Sequence, residues 1–388
     1  MKKFVNASAC VPSCLIFILA LSLLLMGCGS SQKDAAQPPK PTVPKNASLD
    51  EKVDAMVSSM TLKEKIGQMV MIGIHGTDVT EDSLFMLHQY HIGGIILFDR
   101  NMESQEQVKK LNAHLQKEAQ EKLPLFIGVD EEGGIVSRMK DALPPPPSEK
   151  EIGETGNPEN ARTWAAKTAA ALKGIGFNMN FAPAADLGLE PGRSYGSDPA
   201  VVTEFVGEAA KGYEQEHLIY CLKHFPGLGK STVDTHNDAS IVNASRSELQ
   251  EEDLLPFRTL IAEKNPEDYF ILVSHAIYPA LGDELPASTS PSIQTGLLRH
   301  ELGYNGVIIT DDIAMGAVSN LYTPGELAVK AVEAGTDIVL TCHEYQNGTE
   351  VYLKLLEAVE KGILTEDRIN ESVKRIVRVK LTHLAETN

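Results

Sequence analysis

The fold of this chain is decided by the stretch HLIYCLKHFPGLG, residues 217–229. Its apolar run ends at Leu222 and predicts a buried strand. The PGLG segment that follows ends regular structure, because proline lacks a backbone donor and glycine favours turns. Two basic residues, Lys223 and His224, therefore stand at the point where a strand gives way to a loop.

Short apolar runs of this kind recur along the chain and alternate with helical patterns. The runs cover 70–74, 94–98, 125–129, 177–182, 218–222, 270–273, 307–309 and 338–340. The clearest helical patterns cover 161–172, 204–214, 249–262, 324–334 and 365–380. Strands buried on both faces read as near-continuous apolar runs, as these do. The alternation predicts an α/β fold with a single (β/α)8 TIM-type barrel, in which the first strands can be irregular.

The beginning of the chain has the form of a signal peptide. Two lysines precede an apolar segment over 14–26, and the segment ends Leu25-Met26-Gly27-Cys28. This ending resembles the bacterial lipobox, in which the cysteine is lipidated and becomes N-terminal after cleavage. We expect 1–27 to be a lipoprotein signal peptide and Cys28 to anchor the protein to the bacterial cell membrane, outside the cytoplasm. The alternatives are an uncleaved anchor or an ordinary signal peptide.

The residues after Cys28 predict a tether followed by one domain. The segment is rich in Ser, Gln, Pro and Lys without an apolar period, so we expect 28–48 to be flexible. Ordered structure should begin near Leu49, and Thr61 with Glu64 has the form of a capping box. The chain ends soon after the last β-α unit, so we expect 49–388 to be a single barrel without a second domain. We also expect the protein to be a monomer.

Composition excludes several classes of function. A net charge of −18 makes nucleic acid a poor partner and leaves lipidation as the expected link to the membrane. The five cysteines lack metal-ligand spacing, so we expect no metal and no cofactor. The Gly229-Lys230 pair does not end a phosphate-binding loop, because that motif needs a glycine where His224 stands.

Charged residues of both signs follow the predicted strands. In a barrel of this kind the carboxyl ends of the strands meet at one face, so these side chains should gather there. Acids alone would suggest a metal, whereas acids mixed with Arg, Lys and His suggest a polyhydroxylated, uncharged ligand held by charged hydrogen bonds. The residues concerned are Asp130, Arg138, Asp186, Arg193, Lys223, His224, His275 and Asp311.

Six motifs stand in the order seen in glycoside hydrolase family 3 and resemble its β-N-acetylglucosaminidase branch. They are GVDEEGG (128–134), NMNFAP (178–183), RSY (193–195), KHFPG (223–227), DTH (234–236) and TDD (310–312). The resemblance runs from about residue 50 to the end of the chain. It implies a retaining β-N-acetylglucosaminidase that removes terminal non-reducing N-acetylglucosamine, and peptidoglycan fragments are the expected carbohydrate substrate.

The resemblance also implies roles for individual residues. Asp311 is expected to be the nucleophile, and His236 the acid/base held by Asp234. The residues expected to bind the terminal sugar are Asp130, Arg138, Arg193, Lys223 and His224. The chemistry is consistent, since a retaining glycosidase needs a carboxylate near the anomeric carbon and a proton donor beside the leaving group, and imidazole can give and take that proton.

The sequence departs from the family pattern at three positions, where Glu131, Tyr195 and Leu228 stand in place of the usual Gln, Phe and His. The rival functions are a family 3 β-glucosidase or β-xylosidase and a non-catalytic sugar-binding lipoprotein.

Structural roles remain open for several of the polar residues. Asp311 and Asp312 could cap the following helix, and Lys223 with His224 could form structural ion pairs. Asp234 and His236 could be solvated loop residues. Glu131 and Glu132 are expected to shape the Gly-Gly turn. Asp186 and His275 have no assigned role, and Cys221 and Cys342 are expected to be buried thiols.

Overall fold

The computed structural model describes residues 46–119, 123–140, 143–231, 240–282 and 284–385. Three of the sequence predictions lie outside these ranges: the signal peptide with the lipidation site Cys28, most of the tether, and the Asp234–His236 dyad. The predicted start of ordered structure near Leu49 lies inside the described ranges. Helix α1 begins at Leu49 with Ser48 as its N-cap, and Thr61 and Glu64 form the predicted capping box at the start of α2.

Within these ranges, eight strands form one parallel sheet, in the order β10-β1-β2-β3-β6-β7-β8-β9, and two short strands form a separate hairpin. The strands are β1 (Val70–Gly73), β2 (Gly94–Leu97), β3 (Phe126–Val129), β4 (Glu131–Gly133), β5 (Val136–Ser137), β6 (Met179–Asn180), β7 (Ile219–Phe225), β8 (Tyr269–Val273), β9 (Val307–Thr310) and β10 (Val339–Thr341).

The two edge strands of the sheet, β9 and β10, meet and close it into a barrel. A parallel bridge joins Ile309 to Ile338, and the Thr310 N–H donates to the Ile338 carbonyl at 3.1 Å. The prediction of a (β/α)8 barrel is thus confirmed. The first strands are regular rather than irregular, since β1 keeps continuous register with both β2 and β10.

Helices separate the strands and cover the barrel. They are α1 (Leu49–Ser59), α2 (Leu62–Gln68), α3 (Glu81–Gln89), α4 (Gln105–Glu118), α5 (Glu149–Glu154), α6 (Glu159–Gly174), α7 (Pro199–Gln215), α8 (Arg246–Glu248), α9 (Leu255–Glu263), α10 (Gly316–Ser319), α11 (Pro324–Ala334), α12 (Tyr345–Glu360) and α13 (Glu366–His383). Two segments, Leu249–Asp253 and Ser292–Glu301, are π-helical. None of the helices in the described ranges is long and apolar enough to cross a membrane.

One predicted helix and one predicted strand differ from expectation in an instructive way. The single helix expected over 249–262 is divided into a π-helical turn and α9, because Pro256 lacks the N–H that a continuous α-helix needs. Strand β7 continues past the apolar run to Phe225, whose carbonyl accepts the Ser274 N–H at 3.0 Å. Lys223 and His224 are therefore held by the sheet itself.

Candidate active site

A cavity of about 360 Å³ opens at the carboxyl ends of the barrel strands. The structure brings together in its wall six of the residues that the sequence singles out as catalytic or sugar-binding: Asp130, Arg138, Arg193, Lys223, His224 and Asp311. These side chains come from four different strand ends, which is the usual construction of a site on this fold. The other two, Asp234 and His236, lie outside the described residues.

Lys223 is the buried centre of the site. It is 3% exposed, and its Nζ lies 2.7 Å from Asp130 Oδ1 and 2.5 Å from Glu132 Oε1. Burial alone lowers the pKa of a lysine, but the two carboxylates outweigh burial and raise the pKa of Lys223 above its ordinary value. The lysine is therefore a permanent cation at neutral pH.

Glu132 joins this lysine to Arg193. The arginine binds the carboxylate with two parallel hydrogen bonds, Nε to Oε2 and Nη2 to Oε1, both 2.8 Å. Burial would raise the pKa of Glu132, but Lys223 and Arg193 hold it well below its usual range. Sequence reasoning placed Glu132 in a turn and missed this role. We call Asp130, Glu132, Arg193 and Lys223 the charge cluster.

His224 is oriented by a carboxylate that had no assigned role. Its Nδ1 lies 2.7 Å from Oδ2 of Asp186, which is fully buried. Asp186 also accepts the backbone N–H groups of His224 and of Leu228, the latter at 2.6 Å. Asp186 thus fixes the orientation of the His224 ring and holds the loop after β7 in place. Leu228, one of the three departures from the motif pattern noted above, takes part through its backbone.

Asp311 is half-buried directly after β9. Its backbone N–H donates to the Val273 carbonyl at 3.1 Å, which fixes the residue to the neighbouring strand end. Asp312 is more deeply buried, and its Oδ1 accepts the N–H groups of Ala314 and Cys342, both at 3.1 Å. Burial raises the pKa of Asp312. Neither residue caps the next helix, because Met315 is the N-cap of α10, so that interpretation is wrong.

Three side chains in the outer wall of the cavity, Phe98, Arg100 and His343, were missed by sequence reasoning and lie beside the predicted residue Arg138. Phe98 packs against the guanidinium groups of Arg100 and Arg138, at 4.6 and 5.5 Å from its ring centroid, and stacks on His343 at 5.7 Å. His343 Nε2 lies 3.7 Å from Asp312 Oδ2. The group combines strands β2 and β10, which are far apart in sequence. The polar residues directly after β2 were the signal that could have indicated it.

Other polar residues near the site have structural roles. Glu131 binds Ser137 and accepts the N–H groups of Arg138 and Met139, which agrees with its predicted role in the turn. His275 is buried between Ser288 Oγ and the Asp312 carbonyl, at 2.7 and 3.0 Å, and burial lowers its pKa.

The remaining groups concern cysteine and metal chemistry. Cys221 and Cys342 are buried, as predicted, and burial raises their pKa, so neither is a reactive thiolate. The described part of the chain contains no group of three or more His, Cys, Asp or Glu side chains that could hold a metal ion.

Comparison with known proteins identifies relatives of most of this chain. Residues 61–379 match the family described as "Glycosyl hydrolase family 3 N terminal domain". Beta-hexosaminidase A of Pseudoalteromonas piscicida is 34% identical over 332 residues, which are 76% of this chain and 54% of that protein. The chain therefore spans about half the length of this relative. A beta-hexosaminidase of Nitrosomonas eutropha is 33% identical over 318 residues, 78% of this chain and 90% of that protein.

A solved structure has the same fold. The glycoside hydrolase family 3 beta-N-acetylglucosaminidase from Paenibacillus sp. str. FPU-7 superposes with a TM-score of 0.82 and 38% sequence identity. The match covers 85% of this chain and 64% of that one.

Proposed function

The chain belongs to glycoside hydrolase family 3, and from this membership we propose that it is a retaining β-N-acetylglucosaminidase. It removes terminal non-reducing N-acetylglucosamine from carbohydrate substrates. The observation that carries the proposal is that one cavity holds both the half-buried carboxylate of Asp311 and the charge cluster. The names of the relatives, beta-hexosaminidase and beta-N-acetylglucosaminidase, support the choice of sugar.

The proposed reaction has two steps. In the first, a carboxylate oxygen of Asp311 attacks the anomeric carbon while His236 gives its proton to the departing oxygen, leaving a glycosyl ester and the free aglycone. In the second, His236 takes a proton from water, whose oxygen attacks the anomeric carbon and releases Asp311. Asp234 orients the imidazole and stabilises its charged form. Two inversions at carbon give net retention.

The charge cluster suits an uncharged sugar. Lys223 has three N–H donors, of which two point to Asp130 and Glu132, so one is left for a hydroxyl group. Ligand hydroxyls can also donate to Asp130, which is the more exposed of the two carboxylates. In this proposal Arg138, Arg193 and His224 complete the sugar-binding set. Because Lys223 and Arg193 are already neutralised, a ligand need not bring a negative charge.

The proposal is tested against its rivals by exchanging the glycone. Nitrophenyl β-N-acetylglucosaminide, β-glucoside and β-xyloside are compared under identical conditions, and we expect efficient hydrolysis of the first. Preference for the glucoside or the xyloside would indicate the β-glucosidase or β-xylosidase alternative. Binding of N-acetylglucosamine without turnover of any of the three would indicate a sugar-binding lipoprotein.

The nucleophile is tested by trapping the covalent intermediate. A fluorinated N-acetylglucosaminyl fluoride should label Asp311, and Asp311→Asn should lower kcat by several orders of magnitude because the covalent path is lost. Asp312→Asn is the matched control, since it is the neighbouring carboxylate in the same cavity. A label on Asp312, or an anomerically inverted product, would overturn the assignment.

The acid/base is tested with a leaving-group series. A sugar leaving group needs protonation and a nitrophenolate needs little, so His236→Ala should cost about 10²- to 10⁴-fold on a disaccharide and much less in the glycosylation step on an activated aryl glycoside. Asp234→Ala should show a weaker form of the same pattern. Equal slopes of rate against leaving-group pKa in the wild type and His236→Ala would show that another residue donates the proton.

Peptidoglycan fragments are the proposed natural substrate, from the family resemblance together with the expected location. Hydrolysis of N-acetylglucosaminyl-anhydromuramyl fragments is compared with that of chitobiose, and faster hydrolysis of chitobiose would contradict the substrate.

We propose an extracytoplasmic protein attached by a lipid on Cys28, with a flexible 28–48 segment and a monomeric barrel over 49–388. Light scattering of a form that lacks 1–28 tests the monomer.

The anchor is tested by membrane fractionation and mass spectrometry. Cys28→Ala should release the protein from membranes or block its processing, because the acceptor of the lipid is removed. Cys14→Ala is the matched control, since Cys14 begins the apolar segment that precedes Cys28, and it should leave both unchanged. Unaltered fractionation and mass for Cys28→Ala would contradict lipidation.

A further inference from the structure

Glu149 is a buried carboxyl beside the charge cluster that the reaction above does not use. It is the first residue of α5 and is 2% exposed. Its Oε1 accepts the backbone N–H of Ala184 at 2.8 Å. Its Oε2 is buried and has no hydrogen-bond partner among the described residues. One hydrogen bond is poor compensation for a carboxylate removed from water.

The charged groups around Glu149 are already committed to other partners. Glu132 of β4, Lys223 of β7 and Arg193 of the loop after β6 all act on it electrostatically, but neither cation lies within 4 Å of its oxygens, and the same holds for every Lys, Arg and His in the described ranges. The other titratable neighbours are Tyr195 and, on α7, Tyr213. Burial first, and then the negative charge of Glu132, raise the pKa of Glu149 well above its usual value.

Glu149 and its helix contact the two segments that hold the cations of the charge cluster. The Ala184 segment that it binds is bridged to β7 at Lys223, where the Ala185 N–H donates to the Lys223 carbonyl at 2.6 Å. Helix α5 also packs on the loop that carries Arg193. A Cβ placed on Gly153 would lie 1.9 Å from the Tyr195 carbonyl oxygen, so no side chain separates the two backbones.

We propose that Glu149 is a positioning residue that carries a proton at neutral pH, and that its ionisation in alkaline solution weakens sugar binding. This inference rests on the proposed function, in which Lys223 and Arg193 hold the sugar. While Glu149 is neutral, Glu132 binds both cations without competition. An ionised Glu149 repels Glu132 and attracts Lys223 and Arg193. This attraction displaces the two cations from the positions in which they bind the sugar.

The kinetic test is the pH dependence of KM for Glu149→Gln. Glutamine is close in shape and keeps a carbonyl for the Ala184 N–H, but it cannot ionise. In the wild type KM should rise about tenfold per pH unit once Glu149 loses its proton, since the competent fraction then falls tenfold per unit. In Glu149→Gln this rise should be absent. Glu154→Gln removes an exposed carboxyl from the same helix and should keep the wild-type profile.

The stability test does not depend on activity. Between the ordinary pKa of a glutamate and the raised value, the folded state keeps a proton that the unfolded state has lost, so stability falls as pH rises through this window. The unfolding equilibrium constant of the wild type should grow about tenfold per pH unit relative to Glu149→Gln, and the two proteins should converge in acid. Urea unfolding from pH 4 to pH 8 measures this.

The outcomes separate this inference from the proposed function. Parallel stability curves for the wild type and Glu149→Gln would show that Glu149 holds no extra proton and would overturn the inference, even if the enzyme is active. Diverging stability curves with identical KM profiles would show that the proton is unrelated to sugar binding, which also overturns it. A wild type that hydrolyses no glycoside would instead overturn the proposed function.

Discussion

Two buried lysines lie at opposite ends of the same barrel. Lys223, near the carboxyl ends of the strands, is held by Asp130 and Glu132 at 2.7 and 2.5 Å. Lys380, on α13, is fully buried at the amino ends, where its Nζ donates to Gln68 Oε1 and to the Gly93 carbonyl, both at 2.7 Å. Its Nζ also lies 4.7 Å from the centroid of the Phe126 ring, and no carboxylate of the described residues lies within 4 Å of it.

The pKa values of the two lysines are shifted in opposite directions. The pKa of Lys223 is raised because its carboxylate partners outweigh desolvation, whereas burial lowers the pKa of Lys380 to about 7. Burial therefore does not by itself decide the charge of a lysine, and the partners within hydrogen-bonding distance do. At the carboxyl ends of the strands, Lys223 therefore stays charged at neutral pH. At the amino ends, Lys380 donates hydrogen bonds but loses its proton near neutral pH.

The largest expected effect comes from Lys223→Met. The substitution leaves Glu132 and Asp130 with less compensation in a buried site, which should cost about 3–5 kcal/mol of stability, as for breaking a buried ion pair. It should also lower kcat/KM about 10- to 100-fold through the loss of a charged hydrogen bond. Urea unfolding and steady-state kinetics measure the two effects. Unchanged stability would show that the cation is not needed to neutralise the cluster.

For the matched variant Lys380→Met, the difference in stability from the wild type should depend on pH and should change sign between acid and alkali. The pKa of Lys380 is lower in the folded protein than in the unfolded chain, so below pH 7 the folded wild type bears the full cost of burying a charged ammonium group. Between pH 7 and about pH 10 its free energy of unfolding should rise by about 1.4 kcal/mol per pH unit. Lys380→Met should be the more stable protein in acid. In alkali it should be less stable by about 1–3 kcal/mol, because the acceptors at Gln68 and Gly93 are unpaired. A difference independent of pH would contradict the lowered pKa.

Glu132→Gln should have an intermediate effect at the site end. Lys223 still pairs with Asp130, but Arg193 loses its bidentate carboxylate partner. The loss should lower stability by about 1.5–3 kcal/mol and raise KM. The control is Glu131→Gln, which changes a neighbouring buried carboxyl that forms no ion pair within 4 Å with the described cations. Equal changes in KM for the two variants would show that Glu132 has no special role.

The smallest net effect is expected from Gln68→Glu, which gives Lys380 a carboxylate partner like those of Lys223. The pKa of Lys380 should rise from about 7, and the gain in stability between pH 7 and pH 10 should flatten. Net stability at pH 7 should change by about 1 kcal/mol or less, because desolvation of the new carboxylate offsets its attraction. The pH dependence of urea unfolding measures the shift, and a slope like that of the wild type would refute it.

Much of the fold and part of the site could be predicted from the sequence. The eight barrel strands coincide with the apolar runs, because a strand buried on both faces must be apolar along its length. Asp130, Lys223 and Asp311 could be placed at one face because parallel strands end together there. Both inferences depend on properties of neighbouring residues in the chain.

The pairing of the charges could not be predicted in the same way. Sequence reasoning placed Glu132 in a turn and left Asp186 without a role, yet the structure pairs Glu132 with Lys223 and Arg193, and Asp186 with His224. These partners come from different strand ends. Which carboxylate meets which cation depends on side-chain geometry across the barrel, and no periodicity in the sequence records it.

The sequence by itself determined the alternation of strands and helices, the positions of the strand ends and the family motifs, because each of these depends on local pattern. Only the tertiary structure decided that Lys223 is a fixed cation, that Lys380 has a pKa of about 7 and that Glu149 is buried with no cation of the described ranges within 4 Å. The physical reason is that desolvation and Coulomb interactions depend on groups a few ångströms away, and barrel closure decides which groups those are.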